Sequence, residues 1–309
     1  MKCISIITPC YNEEENVEPL SLKVKEIFAL LPNYDYEHIF IDNSSEDQTV
    51  EILKHLAQRD QRIKMIVNHR NFGQVRSPFY GMLQSSGDAT ILLVADFQDP
   101  PEMIIDFLKE WEKGWKVVAG VKAKTNEPFL IRHVRRLYYA LVTTISEVKL
   151  IKHFTGFALY DRTVVDAFRE MNPPFPYLRG LISEIGCPIK LIPYEQPARR
   201  EGVTKNHFFS LYDVAMLGMT THSKIPIRLA TIFGFLLSTI SLFVAFLFVL
   251  CKLIFSEEVI NGLNPMLIAL FFFSSVQLFF IGVLGEYICA IQTQVTKRPL
   301  VYEKERINF

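Results

Sequence analysis

Thr90-Ile91-Leu92-Leu93-Val94-Ala95, six residues without a charge, runs directly into Asp96-Phe97-Gln98-Asp99-Pro100-Pro101-Glu102. A short uninterrupted apolar run bounded by turn residues reads as a strand buried on both faces, the kind found in parallel sheets. The stretch after it places carboxylates and an amide at the end of that strand. Working outward, the same alternation repeats. Toward the N-terminus, Cys3 to Thr8 reads as a strand and Val17 to Leu31 as a helix capped by Asn16. His38 to Ile41 is a second strand, closed by Asp42-Asn43-Ser44-Ser45, and a helix follows through Val50, Leu53 and Leu56. Ile63 to Val67 is a third strand and Gly73 to Ser85 a helix. Toward the C-terminus come a helix from Pro101 to Lys113 and a strand from Lys116 to Val121. Strands alternating with helices predict βαβ units and an α/β fold with a doubly wound, mostly parallel sheet. Such sheets bind ligands beyond the carboxyl ends of their strands. Polar clusters stand at those ends here: Tyr11-Asn12-Glu13, Asp42-Asn43, Asn68 to Asn71, and Asp96 to Asp99.

Carboxylate and amide oxygens at a strand end suit a hard divalent cation, and such a cation bridges a diphosphate. A departing nucleotide diphosphate gathers negative charge that a metal or cationic side chains must offset. Asp96 fits metal or ribose contact. Asp99, directly before Pro100-Pro101, reads equally as a helix cap.

Composition narrows the classes. The 309 residues carry 33 basic and 33 acidic side chains, so the chain lacks the basic excess of a nucleic-acid binder. Half of the residues are hydrophobic, 21% are charged, and the mean hydropathy is +0.19, which excludes intrinsic disorder. The five cysteines (Cys3, Cys10, Cys187, Cys251, Cys289) form no Cys-x-x-Cys pair and have no zinc spacing, a usage that suits reduced thiols in a cytosolic compartment. The apolar run after Met1 is too short for a signal peptide.

The apolar residues concentrate in the last third. No charge occurs from Leu229 to Cys251, nor from Met266 to Gly285, which follows Asn264-Pro265 and meets Glu286. A bilayer core of about 30 Å needs about 20 helical residues, whereas soluble core helices are typically 10–14 apolar residues long. Two spans are therefore expected. Lys224 and Arg228 precede the first, while Lys297, Arg298, Lys304 and Arg306 follow the second. Both termini are then cytoplasmic, with a short outer hairpin. Ile131 to Lys149 places apolar residues on one helical face with Arg132, Arg135 and Arg136 off it. That pattern suits either a helix lying in the headgroup plane or a domain helix facing the core. The expected organisation is 1–205 for the α/β domain, 206–224 for a juxtamembrane helix, 225–292 for a two-helix membrane hairpin and 293–309 for a cytoplasmic tail.

Several motifs occur together and in a telling order: Pro9-Cys10-Tyr11-Asn12-Glu13-Glu14, Asp42 to Thr49, Arg70-Asn71-Phe72-Gly73 and the Asp96 stretch. Behind them come Arg199-x-x-Gly202-x-Thr204-Lys205, Gly282 to Tyr287 and Lys297-Arg298-Pro299. On these the chain resembles the family-two inverting glycosyltransferases of GT-A fold, and among them the polyprenyl-phosphate glycosyltransferases. It looks most like bactoprenol (undecaprenyl-phosphate) glucosyl transferases and is also similar to dolichol-phosphate mannose synthases. The resemblance implies a nucleotide-sugar donor, UDP-glucose foremost, with GDP-mannose, UDP-GalNAc or an aminoarabinose derivative as alternatives. It implies undecaprenyl or polyprenyl phosphate as acceptor at the cytoplasmic membrane face, Mg²⁺ or Mn²⁺ as cofactor, and a homotetramer held by the membrane helices. Residue by residue, it places Asp42 and Arg70 on the nucleotide base, and Pro9, Tyr11 and Glu13 in the first loop of the pocket. Asp96 and Gln98 match metal-holding positions; Arg199 and Lys205 match a basic loop that meets the phosphates. An anionic lipid phosphate calls for such cations on physical grounds as well, although general attraction to anionic headgroups explains them too.

Two departures stand out. The family's Asp-x-Asp appears as Val94-Ala95-Asp96, and Gly156 of Thr155-Gly156-Phe157-Ala158 occupies the position of the proposed catalytic base. A hydroxyl acceptor gains about 10²–10⁴-fold from a base. A phosphate monoester, with a second pKa of about 6, is already ionised at neutral pH. These losses also motivate a second reading, a non-catalytic relative that binds nucleotide sugar or lipid.

Overall fold

The computed structural model describes residues 1–123, 154–173, 176–197, 225–254, 263–296 and 298–309. Its strands are β1 (Lys2–Cys10), β2 (Tyr34–Asp42), β3 (Ile63–Asn68), β4 (Ala89–Leu92), β5 (Val117–Lys122), β6 (Phe154–Asp161), β7 (Ile189–Tyr194) and β8 (Glu303–Ile307). The helices are α1 (Val17–Ala29), α2 (Thr49–Arg59), α3 (Gly73–Leu83), α4 (Met103–Glu112), α5 (Arg162–Met171), α6 (Leu178–Ile185), α7 (Ile225–Ile254) and α8 (Leu263–Val295).

All eight strands join one sheet in the order β7-β5-β6-β4-β1-β2-β3-β8. Strands β1 to β4 run parallel, and β5 runs parallel to β7. The β4–β6, β5–β6 and β3–β8 pairings are antiparallel, so the sheet is more mixed than the alternation predicts. Side-chain alternation along the strands sorts the core into layers. Ile4 and Ile6 of β1 face Leu20 and Val24 of α1 and Phe107 and Leu108 of α4. Ile7 of β1 and Ile39 and Ile41 of β2 face Phe79 and Met82 of α3, Phe168 of α5 and Ile182 of α6. Burying each of these side chains contributes roughly 1.5–3 kcal/mol before entropy is charged against it.

Three local readings change. Asn16 stands at the head of α1, but its side chain makes no capping bond; its Nδ2 donates to Glu13 Oε2 at 2.8 Å instead. Strand β4 stops at Leu92, short of the expected Ala95, because the chain turns away toward Asp96. And Glu303–Ile307, read from sequence as part of a cytoplasmic tail, is an edge strand beside β3.

Helices α7 and α8 are 30 and 33 residues long. Phe235, Phe243 and Phe246 of α7 and Met266, Leu278 and Phe279 of α8 are exposed, an apolar surface that water does not tolerate. Among the described residues, one segment, Phe272–Gln292, is long and apolar enough to cross a membrane. The expected helices at 131–149 and 206–224 lie outside the described residues.

His38 of β2 is fully buried; its Nε2 lies 2.9 Å from Thr8 Oγ1 and its Nδ1 has no partner. Burial pushes the imidazole down to about 3 from its ordinary 6.5. The unfolded chain therefore takes up this proton first as pH falls. His38 favours the fold fully above pH 6.5, and that contribution is lost between 6.5 and 3, by about 1.4 kcal/mol per pH unit at the steepest. Denaturant melts at pH 7, 6, 5 and 4 should show this slope, and His38→Gln should flatten it.

Candidate active site

Because β1 to β4 are parallel, their carboxyl ends open on one side of the sheet. That geometry gathers four loops: Tyr11 and Glu13 after β1, Asp42 at the end of β2, Arg70 after β3 and Asp96 after β4. Register places Pro9 opposite Ile41 and Cys10 opposite Asp42. So the sequence-predicted residues Pro9, Tyr11, Glu13, Asp42, Arg70, Asp96 and Gln98 all lie at this edge. Arg199 and Lys205 lie outside the described residues.

The first two loops are knitted together by main-chain donors. The Asn12 N–H donates to Ser45 Oγ at 2.8 Å, the Glu46 N–H to Asn12 Oδ1 at 2.8 Å, and the Glu13 N–H to Thr49 Oγ1 at 2.9 Å. Asp42 is completely buried. It accepts from the Ser45 N–H at 2.9 Å and the Ser45 hydroxyl at 2.5 Å, yet burial still raises its carboxyl above the usual range. Asn12 (φ 55°), Ser44 (φ 67°) and Phe97 (φ 58°) all hold left-handed backbone. Such conformations cost non-glycine residues on the order of 1–2 kcal/mol each. Three of them stand in the loops after β1, β2 and β4.

The β3 loop hangs on a residue that sequence reasoning did not single out. Asn43 donates from Nδ2 to Asn71 Oδ1 at 2.8 Å, and its Oδ1 accepts the Phe72 N–H at 2.8 Å and Asn68 Nδ2 at 3.3 Å. Arg70, two residues from Asn68, packs its guanidinium 4.4 Å from the centre of the Phe72 ring. The one sequence signal was Asn43's place beside Asp42 at a strand end. Replacing Asn43 by alanine removes the amide that joins β2 to the Arg70 loop, a loss of about 1–3 kcal/mol. The expected result is a donor KM raised roughly 5- to 100-fold with kcat little changed, read from donor titrations.

Around β4, Asp96 is 7% exposed and its Oδ1 accepts the Gln98 N–H at 3.1 Å. The Gln98 side-chain oxygen accepts Gln196 Nε2 at 2.8 Å. Asp99 is buried and accepts the Tyr194 hydroxyl at 2.7 Å; burial pushes its carboxyl up to about 6. Tyr194 and Gln196 thus bolt the Asp96 loop to the chain that leads into Arg199, a contact across 95 and more residues that no local pattern announces.

Among the described residues no group of three histidine, cysteine or acidic side chains could hold a metal. The donor set is one buried carboxylate, Asp96, beside an amide. That fits a magnesium-like ion held by one or two carboxylates together with substrate phosphates, and does not fit an all-protein cage. Gly156 has φ 110°, and a Cβ there would meet Leu92 Cδ2 at 3.3 Å. The backbone at this position is unsuited to a side chain of any kind, an aspartate included.

The glycosyl transferase family 2 model matches residues 5–169. An uncharacterized glycosyltransferase of Bacillus subtilis, YkcC, is 32% identical over 96% of this chain and 91% of its own. The SfII prophage-derived bactoprenol glucosyl transferase of Shigella flexneri is 31% identical over 96% of both chains. A prophage bactoprenol glucosyl transferase homolog of Escherichia coli K12 is 30% identical, again over 96% of each.

Proposed function

The chain belongs to glycosyl transferase family 2, and we propose that it moves a sugar, glucose from UDP-glucose foremost, onto the phosphate of undecaprenyl or a related polyprenyl phosphate. The observation that carries this reading is likeness to a bactoprenol glucosyl transferase and a homolog of one along 96% of the chain. The carboxyl-end loops support it. Asp42 and Arg70 take the nucleoside base, and Pro9, Tyr11 and Glu13 form the near wall of that pocket. Asp96, with Gln98 beside it, would hold Mg²⁺ or Mn²⁺, and the ion would supply positive charge to offset that of the departing diphosphate. Arg199 and Lys205 meet the donor and lipid phosphates as an arginine fork and a lysine point charge.

The reaction asks little of the protein's own acids and bases. An oxygen of the lipid phosphate attacks the anomeric carbon from the face opposite the nucleotide. The bond from that carbon to the diphosphate oxygen breaks, its electron pair leaves with the nucleoside diphosphate, and the anomeric configuration inverts. The attacking oxygen is already ionised at neutral pH, so no base need stand at Gly156. Helices α7 and α8 cross the membrane as a hairpin with both termini cytoplasmic, which sets the domain 1–205 against the headgroups. Assembly is a homotetramer through these helices. The product is a lipid-linked sugar for cell-surface glycan modification.

Purified full-length protein incubated with labelled UDP-glucose, GDP-mannose or UDP-GalNAc, Mg²⁺ or Mn²⁺ and undecaprenyl phosphate should give labelled lipid with one donor, UDP-glucose by this reading. No labelled lipid with any donor, alongside donor binding by calorimetry, would favour the second reading that Val94 and Gly156 motivate, a binder without turnover.

A further inference from the structure

Three arginines converge beside the point where the chain leaves α8. Arg70 and Arg76 place their guanidiniums 4.4 and 5.6 Å from the centre of the same Phe72 ring. Arg76 Nη2 donates to the carbonyl of Pro299 at 2.5 Å, and the neighbouring Arg298 lies near enough for its charge to act on Arg76. The placement is fixed by the C-terminal segment. The His69 N–H donates to Tyr302 O at 2.9 Å, the Phe72 and Tyr302 rings lie 6.2 Å apart, and β8 continues the pairing along β3. No carboxylate pairs with Arg70, Arg76 or Arg298 among the described residues, and Arg76 Nε is buried without a partner. Burial, and then the positive charges of Arg70 and Arg298, hold the Arg76 guanidinium below its ordinary range. Like charges drawn together without an acid call for an anion from outside.

We propose that Arg76 and Arg298, beside Arg70 of the donor pocket, form a binding site for the phosphate of an anionic phospholipid headgroup. Arg298 stands six residues beyond Gln292, the end of the apolar segment Phe272–Gln292, and so at the depth where headgroups begin. The site holds the Arg70 loop, and with it the donor pocket, down on the bilayer surface. The inference rests on α8 crossing the membrane. A nucleotide phosphate offers the same chemistry, so the test separates the two.

Full-length protein in neutral detergent is exposed to equal amounts of phosphatidylglycerol and phosphatidylcholine, and retained lipid is counted by native mass spectrometry. Parallel samples receive inorganic phosphate or UDP. The wild type should retain phosphatidylglycerol over phosphatidylcholine by roughly tenfold, and the Arg76→Gln/Arg298→Gln double variant should fall to near parity. Arg298→Gln alone, which leaves the Arg76–Pro299 bond in place, should give an intermediate loss. An unchanged preference in both variants overturns the proposal. So does a loss of UDP binding with phosphatidylglycerol retention intact, which would give the cluster to the nucleotide. Detergent-free partitioning distinguishes failure of the premise: recovery in the aqueous phase removes the membrane reading and this site with it, whereas membrane-bound protein with no lipid preference counts against this site alone.

Discussion

Asp96→Asn should lower the turnover of sugar transfer by roughly 100- to 1,000-fold at saturating donor, acceptor and metal. The substitution keeps the side chain's shape and its acceptor for the Gln98 N–H, and removes only the negative charge. With valine at position 94, Asp96 is the sole acid of its strand end before the buried, Tyr194-bound Asp99. A metal that shares its charge with a leaving diphosphate would then lose its one protein carboxylate. Removing a single preorganised electrostatic contact from a transition state costs about 10²–10³ in rate. The apparent metal affinity should fall in the same assay, while the thermal midpoint stays near that of the wild type. A variant within threefold of wild-type turnover would take Asp96 out of the reaction.

Ending the chain at Arg298 should cost more stability than any single substitution in the α/β domain. The lost segment buries Leu300 and Val301 against the face that carries Phe79 and Phe168. It also supplies the whole of β8. Asn308 Nδ2 donates to the carbonyls of Ala57 and Ile63 at 2.7 and 2.9 Å, and Lys54 meets Glu305 at 2.9 Å. The two aliphatic side chains contribute roughly 1.5–3 kcal/mol each, and exposed β3 groups add to the loss. Against a total of about 5–15 kcal/mol, that is a drop of roughly 10 °C or more in thermal midpoint for a domain of this size. Thermal melts of the two chains in the same detergent provide the check; coincident melts would make the segment an appendage.

The order of strands and helices through Val121 was legible because buried parallel strands are written as apolar runs with turn residues between them. The site was legible at the level of strand ends, since parallel strands must present their carboxyl ends together. Strand β8 was not. An exposed edge tolerates alternating charge, and Glu303-Lys304-Glu305-Arg306 carries no apolar stripe to betray it. The antiparallel β6 escaped because its direction is set by where the chain returns, not by its composition. Asp99 had two local readings, and what settles its surroundings is Tyr194, which lies far along the chain. Asn43 was hidden differently: an amide that joins the end of β2 to the loop after β3 looks, in sequence, like any other polar residue at the end of a strand.

The most direct measurement compares undecaprenyl phosphate with undecaprenol as acceptor for the same purified, lipid-reconstituted protein, following labelled sugar into the organic phase. A lipid phosphate brings its own charged oxygen to a centre with glycine at position 156; the alcohol brings a proton that Gly156 cannot remove. Transfer to the phosphate alone is the predicted result. Comparable transfer to both lipids, or transfer to the alcohol only, would contradict the account.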